Sequence, residues 1–188
     1  MPMRFIFGLT LILGCLLLQT TAFGGSRTKK SDGPGVEVPS LGNDHISSIG
    51  APHQPYNSDP PTSGPHVAFI AKWGIYKIPV PKELQVHNLE DGGVLIQYDC
   101  QSCNGLIAKL EALVRRYLEK ATQEKLKAAD PSRPTRYEHL LLAPYPGMDA
   151  TIALTAWGRI DKFKSYDEAR IVRFIEAYIG VDHHPAHE

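Results

Sequence analysis

Cysteine is scarce in this chain: there are three in 188 residues, and only Cys100 and Cys103 lie beyond the first 22. An exported domain held together by disulfides carries more, so a disulfide framework is excluded and the pair is a local feature. Neither sign of charge is in excess. Twenty basic residues balance twenty acidic ones, which removes the electrostatic case for nucleic acid or an anionic membrane surface. No phosphate-binding glycine loop, no pair of catalytic carboxylates and no internal repeat is visible. Thr62-Ser63-Gly64 lacks the strand-turn-helix setting of an activated serine, so the sequence assigns no catalytic residue and leans away from an enzyme.

What is present begins with one positive charge at Arg4 and an uncharged apolar run from Phe5 to Leu18. Small Thr20 and Ala22 follow at the two positions a signal peptidase reads. Residues 1–22 are therefore expected to be a signal peptide, cleaved after Ala22 or, nearly as well, after Gly24. The mature chain is expected in the periplasm or outside the cell. The rival, an uncleaved anchor, needs roughly 20 apolar residues, more than the run contains. Lipidation at Cys15 is opposed by the three leucines that follow it.

Residues 23–40 are rich in Gly, Pro and Ser and read as a flexible linker. A single globular domain is expected over 41–188, ending in a mobile tail that carries His183, His184 and His187. Its first part, to His66, is loop-like and holds His45, His53 and Tyr56, draped over the domain.

Val67–Ala71 and Gly93–Tyr98 read as strands. After the second, Leu106, Ile107, Leu110, Leu113, Val114, Tyr117 and Leu118 recur at helical spacing, and Lys120–Ala129 continues the helix in solvated form. His139–Pro144 and Thr151–Trp157 read as a hairpin around the Tyr145–Met148 turn. A last helix opens with Ser165 and Glu168 in capping-box spacing and stops at Gly180. The expected class is α+β, a two-layer α/β sandwich with a β-α-β-β-α core, two helices on one face of a mainly antiparallel sheet. A thioredoxin-like topology is the alternative.

The Cys100-x-x-Cys103 pair falls where a strand meets a helix N-terminus, which favours thiolate. Three chemistries suit it. As a metal site, two soft sulfurs with His66, His87 and Met148 would hold copper or zinc, copper ahead. As a redox pair, Cys100 would attack and Cys103 resolve, although Gln101-Ser102 is an unfamiliar dipeptide and the second β-α unit of thioredoxin is missing. As a structural disulfide, the pair would brace one helical turn within a non-enzymatic interaction module. His87 precedes Glu90 and Asp91. In a helix His87 and Asp91 would share a face and ligate one ion, whereas in a turn the carboxylate would fix the imidazole tautomer.

Four motifs occur together and in order: Tyr56-Asn-Ser-Asp-Pro-Pro-Thr-Ser-Gly-Pro-His66, Val86-His-Asn-Leu-Glu90, Ala143-Pro-Tyr-Pro-Gly-Met148 and Thr155-Ala-Trp-Gly-Arg159. From about Gly42 to Pro185 the chain resembles the bacterial family filed as the domain of unknown function numbered 3105. The resemblance implies an exported bacterial domain and no particular activity. His45, His66 and His87 match the family's histidines. Where the family motif places histidine, two residues, glutamate, histidine and glycine, this chain has Asp91 at the second histidine, still an oxygen donor. Arg159 is a candidate partner for Glu90 or Asp91. The partners expected are a metal ion or small ligand and an exported redox or metal-handling protein, with no nucleic acid and no membrane span in the mature chain.

Overall fold

The computed structural model describes residues 1–2, 33–100 and 102–184. The expected signal peptide from position 3, the linker up to position 32, Gln101 and the last four residues, His187 among them, lie outside the described residues. Within Ser31–Glu188 the chain runs β1 (Val36–Glu37), β2 (His45–Ile46), β3 (His66–Val67), β4 (Gly74–Ile75), α1 (Lys82–Glu90) and β5 (Val94–Tyr98). It continues with α2 (Asn104–Lys127), a short 3-10 turn (Arg136–Glu138), β6 (Leu140–Pro144), β7 (Ile152–Ala156), β8 (Arg159–Phe163) and α3 (Glu168–Tyr178). Among the described residues no helix is long and apolar enough to cross a membrane.

All five residues of β5 are buried, because its two faces are both covered. Val94, Ile96 and Tyr98 join Leu110, Leu113 and Val114 of α2 and Ile171, Phe174 and Ile175 of α3 in the larger core. Leu95 points the other way and packs with Leu89 of α1, Leu141 and Ala143. The expected two-layer sandwich is thus extended by a third element on the second face. Helix α1 was not legible as an amphipathic segment because Gln85–Glu90 are all buried and four of the six are polar or charged.

The class is mixed α+β, and among the described residues six of the eight strands form one sheet in the order β1-β8-β7-β5-β6-β4, with β2 and β3 paired apart from it. The sheet is mainly but not purely antiparallel: β5 pairs antiparallel with β7 but parallel with β6, and β4 also runs parallel to β6. The expected hairpin of β6 and β7 is not formed, since β5 lies between them. Asp99 holds the connection instead, its backbone N–H donating to Thr151 O (3.1 Å) and its Oδ2 accepting from Gly147 N (2.8 Å). The hairpin is β7-β8, turning at Trp157-Gly158 with Gly158 at φ +65°. Strand β8 escaped the sequence pattern because Asp161 is buried within it, neutralised by two hydrogen bonds from Arg170 at 2.6 and 2.8 Å.

Other boundaries differ too. The strand expected over Val67–Ala71 is only His66–Val67, paired in parallel with β2. The stretch expected as linker carries β1, whose Val36 pairs with Ile160. Helix α3 is capped by Asp167, which accepts from Arg170 N at 2.9 Å, and not by Ser165. The tail, expected to be mobile, is tied to the turn after α1 as far as it is described: Gly180 N donates to Gly92 O (2.8 Å) and His183 N to Glu90 O (2.9 Å).

That close approach requires a glycine. Gly92 sits at φ +78°, and a Cβ there would lie 2.8 Å from Val181 N. Gly92→Ala is expected to cost roughly 1–3 kcal/mol, combining left-handed strain with the clash. Urea unfolding checks this, and an unchanged midpoint would contradict the packing of the tail on α1.

Candidate metal centre

Helix α1 starts at Pro81, whose carbonyl accepts from Leu84 N and Gln85 N, and ends as Asp91 N bonds His87 O. Its buried polar side chains need partners, because an unpaired buried amide is costly. Gln85 donates to Val80 O (2.6 Å) and accepts from Gln97 Nε2 (2.5 Å). Asn88 grips the backbone of Ala71, accepting from its N–H and donating to its carbonyl, both at 2.9 Å. This grip places the 66–71 segment against the helix. His87 and Glu90, one turn apart on α1, consequently face His66.

His45 and His66 are register partners on β2 and β3. The three imidazoles form one group: His45 and His87 are stacked at 5.4 Å and 9°, and His66 stands edge-on to both at 5.0 Å. One ligand atom from each of His45, His66, His87 and Glu90 lies within 4.8 Å of the others. This group could hold a metal ion.

The tautomers follow from the hydrogen bonds. His66 Nδ1 is 2.8 Å from Gly64 O and His87 Nδ1 is 2.7 Å from Val67 O. A carbonyl only accepts, so both Nδ1 atoms carry the proton and both Nε2 atoms present a lone pair, the form in which histidine ligates. His66 Nε2 lies 2.9 Å from Glu90 Oε2, with side chains 0% and 1% exposed. The separation is that of an ion pair, yet neither atom has a hydrogen-bond partner. With Nδ1 protonated, the Nε2 lone pair faces a carboxylate oxygen there.

Protonating His66 would relieve the opposition, but burial pushes its pKa down. The Gly64 bond and Glu90 pull it upward, and His87 and His45 add to the lowering. Glu90 is oriented by Asn43, whose Nδ2 donates to Oε1 at 2.7 Å, leaving Oε2 for the centre. Trp157 closes one side, edge-on to His66 at 6.4 Å.

A second group adjoins the first. His87, Asp91 and His184 also bring ligand atoms within 4.8 Å of one another, with His184 Nε2 3.6 Å from both Asp91 Oδ1 and Glu90 Oε2. His184 had a weak sequence signal, the His-rich tail, and nothing in the sequence tied that tail to α1.

The ligand set expected from sequence does not form one site. Cys100 and Cys103 are bonded to each other, with Cα atoms 5.9 Å apart, after the C-terminal end of β5. His87 and Glu90 precede the other end, and the strand spans about 16 Å at about 3.3 Å per residue. Neither group of metal-ligand spacing among the described residues contains a cysteine. Met148 is buried with Tyr145 and Ala153, in the turn held by Asp99. His53 is apart as well, with Nδ1 2.7 Å from Gln54 O and its ring against Tyr56 at 4.9 Å. Arg159 lies 3.5 Å from Glu37 and over the Tyr178 ring.

The family model described as "Protein of unknown function (DUF3105)" matches residues 51–188, which takes in His66, His87, Glu90, Asp91 and His184 and leaves His45 outside. No curated protein and no solved structure matches the chain.

Asn88→Ala is expected to strand a buried N–H and a buried carbonyl at Ala71 and to lower stability by roughly 2–4 kcal/mol. Chemical denaturation measures it. A loss within about 0.5 kcal/mol would mean that the grip on Ala71 does not anchor the centre.

Proposed function

The chain belongs to the DUF3105 family, and for it we propose an exported metal-binding protein whose ion is held by His45, His66, His87 and Glu90. The observation that carries this is the contact of two buried, unpartnered acceptors, His66 Nε2 and Glu90 Oε2, 2.9 Å apart. A cation between them converts a repulsive contact into two ligand bonds.

Three imidazoles and a carboxylate suit a borderline ion. A tetrahedral zinc with bonds of about 2.0–2.1 Å sets its ligand atoms about 3.4 Å apart, within a small rotation of these rings. The soft sulfur donors that favoured copper are at the far end of β5, so zinc moves ahead of copper. Export rests on the pattern of the first 22 residues and agrees with an oxidised Cys100–Cys103 pair.

The chain that follows Ala22 is expected to bind about one equivalent of zinc after dialysis. His66→Ala and His87→Ala should each weaken binding at least tenfold, while a Cys100→Ser, Cys103→Ser variant should keep it. Elemental analysis and a competition titration read this out. Zinc that disappears with the cysteines would sink the assignment.

A second activity, thiol–disulfide exchange, is favoured by a separate observation. We read the series β5-α2-β6-β7-β8-α3, with strands ordered β8-β7-β5-β6, as compatible with a thioredoxin core that lacks the helix between its second and third strands. The cysteine pair stands at its strand-to-helix junction. A substrate thiolate would attack Cys100 Sγ and release the Cys103 thiolate. The substrate's second thiol would then displace Cys100, leaving the substrate oxidised and both cysteines reduced. Oxidation of a dithiol peptide by the chain, abolished in Cys100→Ser, is expected. No oxidation by the wild type would reduce the disulfide to a brace for α2.

A further inference from the structure

The two ligand groups share one residue. His87 belongs both to the set with His45, His66 and Glu90 and to the set with Asp91 and His184. Its Nδ1 is committed to Val67 O, so one nitrogen, Nε2, serves both sets and can ligate one ion at a time. The sets differ in exposure. In the inner set His66 and Glu90 are sealed and only His45 is exposed, whereas the Asp91 and His184 side chains are 28% and 38% exposed.

His184 is also prepared as a ligand. Its Nδ1 is 2.7 Å from Asp182 Oδ1, the carboxylate–histidine arrangement that orients an imidazole and leaves Nε2 for metal. His183 holds the segment in place, its N–H on Glu90 O at 2.9 Å and its ring stacked on Trp157 at 6.0 Å. His184 Nε2 then stands 3.6 Å from Glu90 Oε2, a ligand atom of the inner set.

We infer that Asp91 and His184 form an outer transfer station: an ion is taken up by His87, Asp91 and His184 and passed inward as His87 and then Glu90 exchange it to His66 and His45. Release follows the same steps in reverse. This rests on the inner set being the resident metal site, and it makes the protein a carrier that loads and unloads its ion. No covalent bond or electron transfer is involved; each step exchanges one ligand for another.

The test is stopped-flow transfer of zinc between the chain that follows Ala22 and a chromophoric chelator, in both directions. Wild type and an Asp91→Asn, His184→Ala variant are compared, together with Asp182→Asn, which removes the carboxylate charge behind His184 and keeps an oxygen that can accept from its Nδ1 and its backbone N–H. A station on the path lowers uptake and release together, by about tenfold in the double variant and less in Asp182→Asn. It leaves one equivalent bound and the dissociation constant within about threefold. Unchanged rates would overturn the inference, because the ion would then be passing the exposed His45. Two equivalents bound to the wild type would also overturn it, since both groups would be filled at once. A weaker dissociation constant with unchanged uptake would make His184 an ordinary fifth ligand. Loss of zinc binding in His66→Ala, seen beside any of these, keeps the inner site standing by itself. Its absence would instead remove the site on which the station depends.

Discussion

Burying a helix whose inward side chains are polar is the constraint on which the rest of this structure depends. Helix α1 covers one face of the central strand, but only Val86 and Leu89 among its last six residues are apolar. The others need partners, because a buried amide or imidazole left unpaired costs more than a hydrogen bond returns. Gln85, His87 and Asn88 find theirs in Val80, Val67 and Ala71, all from the chain that precedes the helix. That chain is therefore held to α1 by side-chain-to-backbone bonds as well as by the packing of Ala71 and Val80 with Leu89. The bond to Val67 also fixes the His87 tautomer, as the bond to Gly64 fixes that of His66.

Glu90 is the residue these bonds do not fully satisfy. Asn43 takes one oxygen and the other is turned toward His66. A protein that kept this pair for stability alone would be poorly served by it, since ionised groups removed from water need excellent geometry to break even. The arrangement is accounted for when the pair is a binding site. The far end of β5 is organised independently, with the cysteine pair opening α2 and Asp99 tying down the Tyr145–Met148 turn. One buried strand thus separates two chemically different ends, one of nitrogen and oxygen donors and one of sulfur.

Much of the large core was legible in the sequence. The stripe from Leu106 to Leu118 and the inward residues of α3 carry a strong helical period, and Val94–Tyr98 is a β-branched and aromatic run with Gln97 its one polar residue. The insertion of β5 between β6 and β7 was not legible, because a tight turn between two apolar runs reads as a hairpin whether or not a third strand intervenes. Helix α1 and β8 were hidden for a shared reason: buried polar residues, Gln85, Asn88 and Asp161, break the hydrophobic pattern, and their compensating partners lie outside their own helix or strand. At the site, His66 and His87 were found by residue type, His45 by the family resemblance, and Glu90 and Asp91 by their spacing from His87. The pairing of histidines with cysteines failed because nothing in a sequence reports on which end of a strand a loop returns. His184 joins the site through a backbone bond from His183 to Glu90 that no local motif announces.

The central claim is that the ion is held by nitrogen and oxygen at the α1 end of the sheet. X-ray absorption at the zinc edge of the loaded protein tests it most directly. Ligation by His45, His66, His87 and Glu90 gives a coordination shell of light atoms at about 2.0–2.1 Å, with imidazole scattering and no sulfur. A shell containing sulfur at about 2.3 Å would place the ion on the cysteines and contradict it.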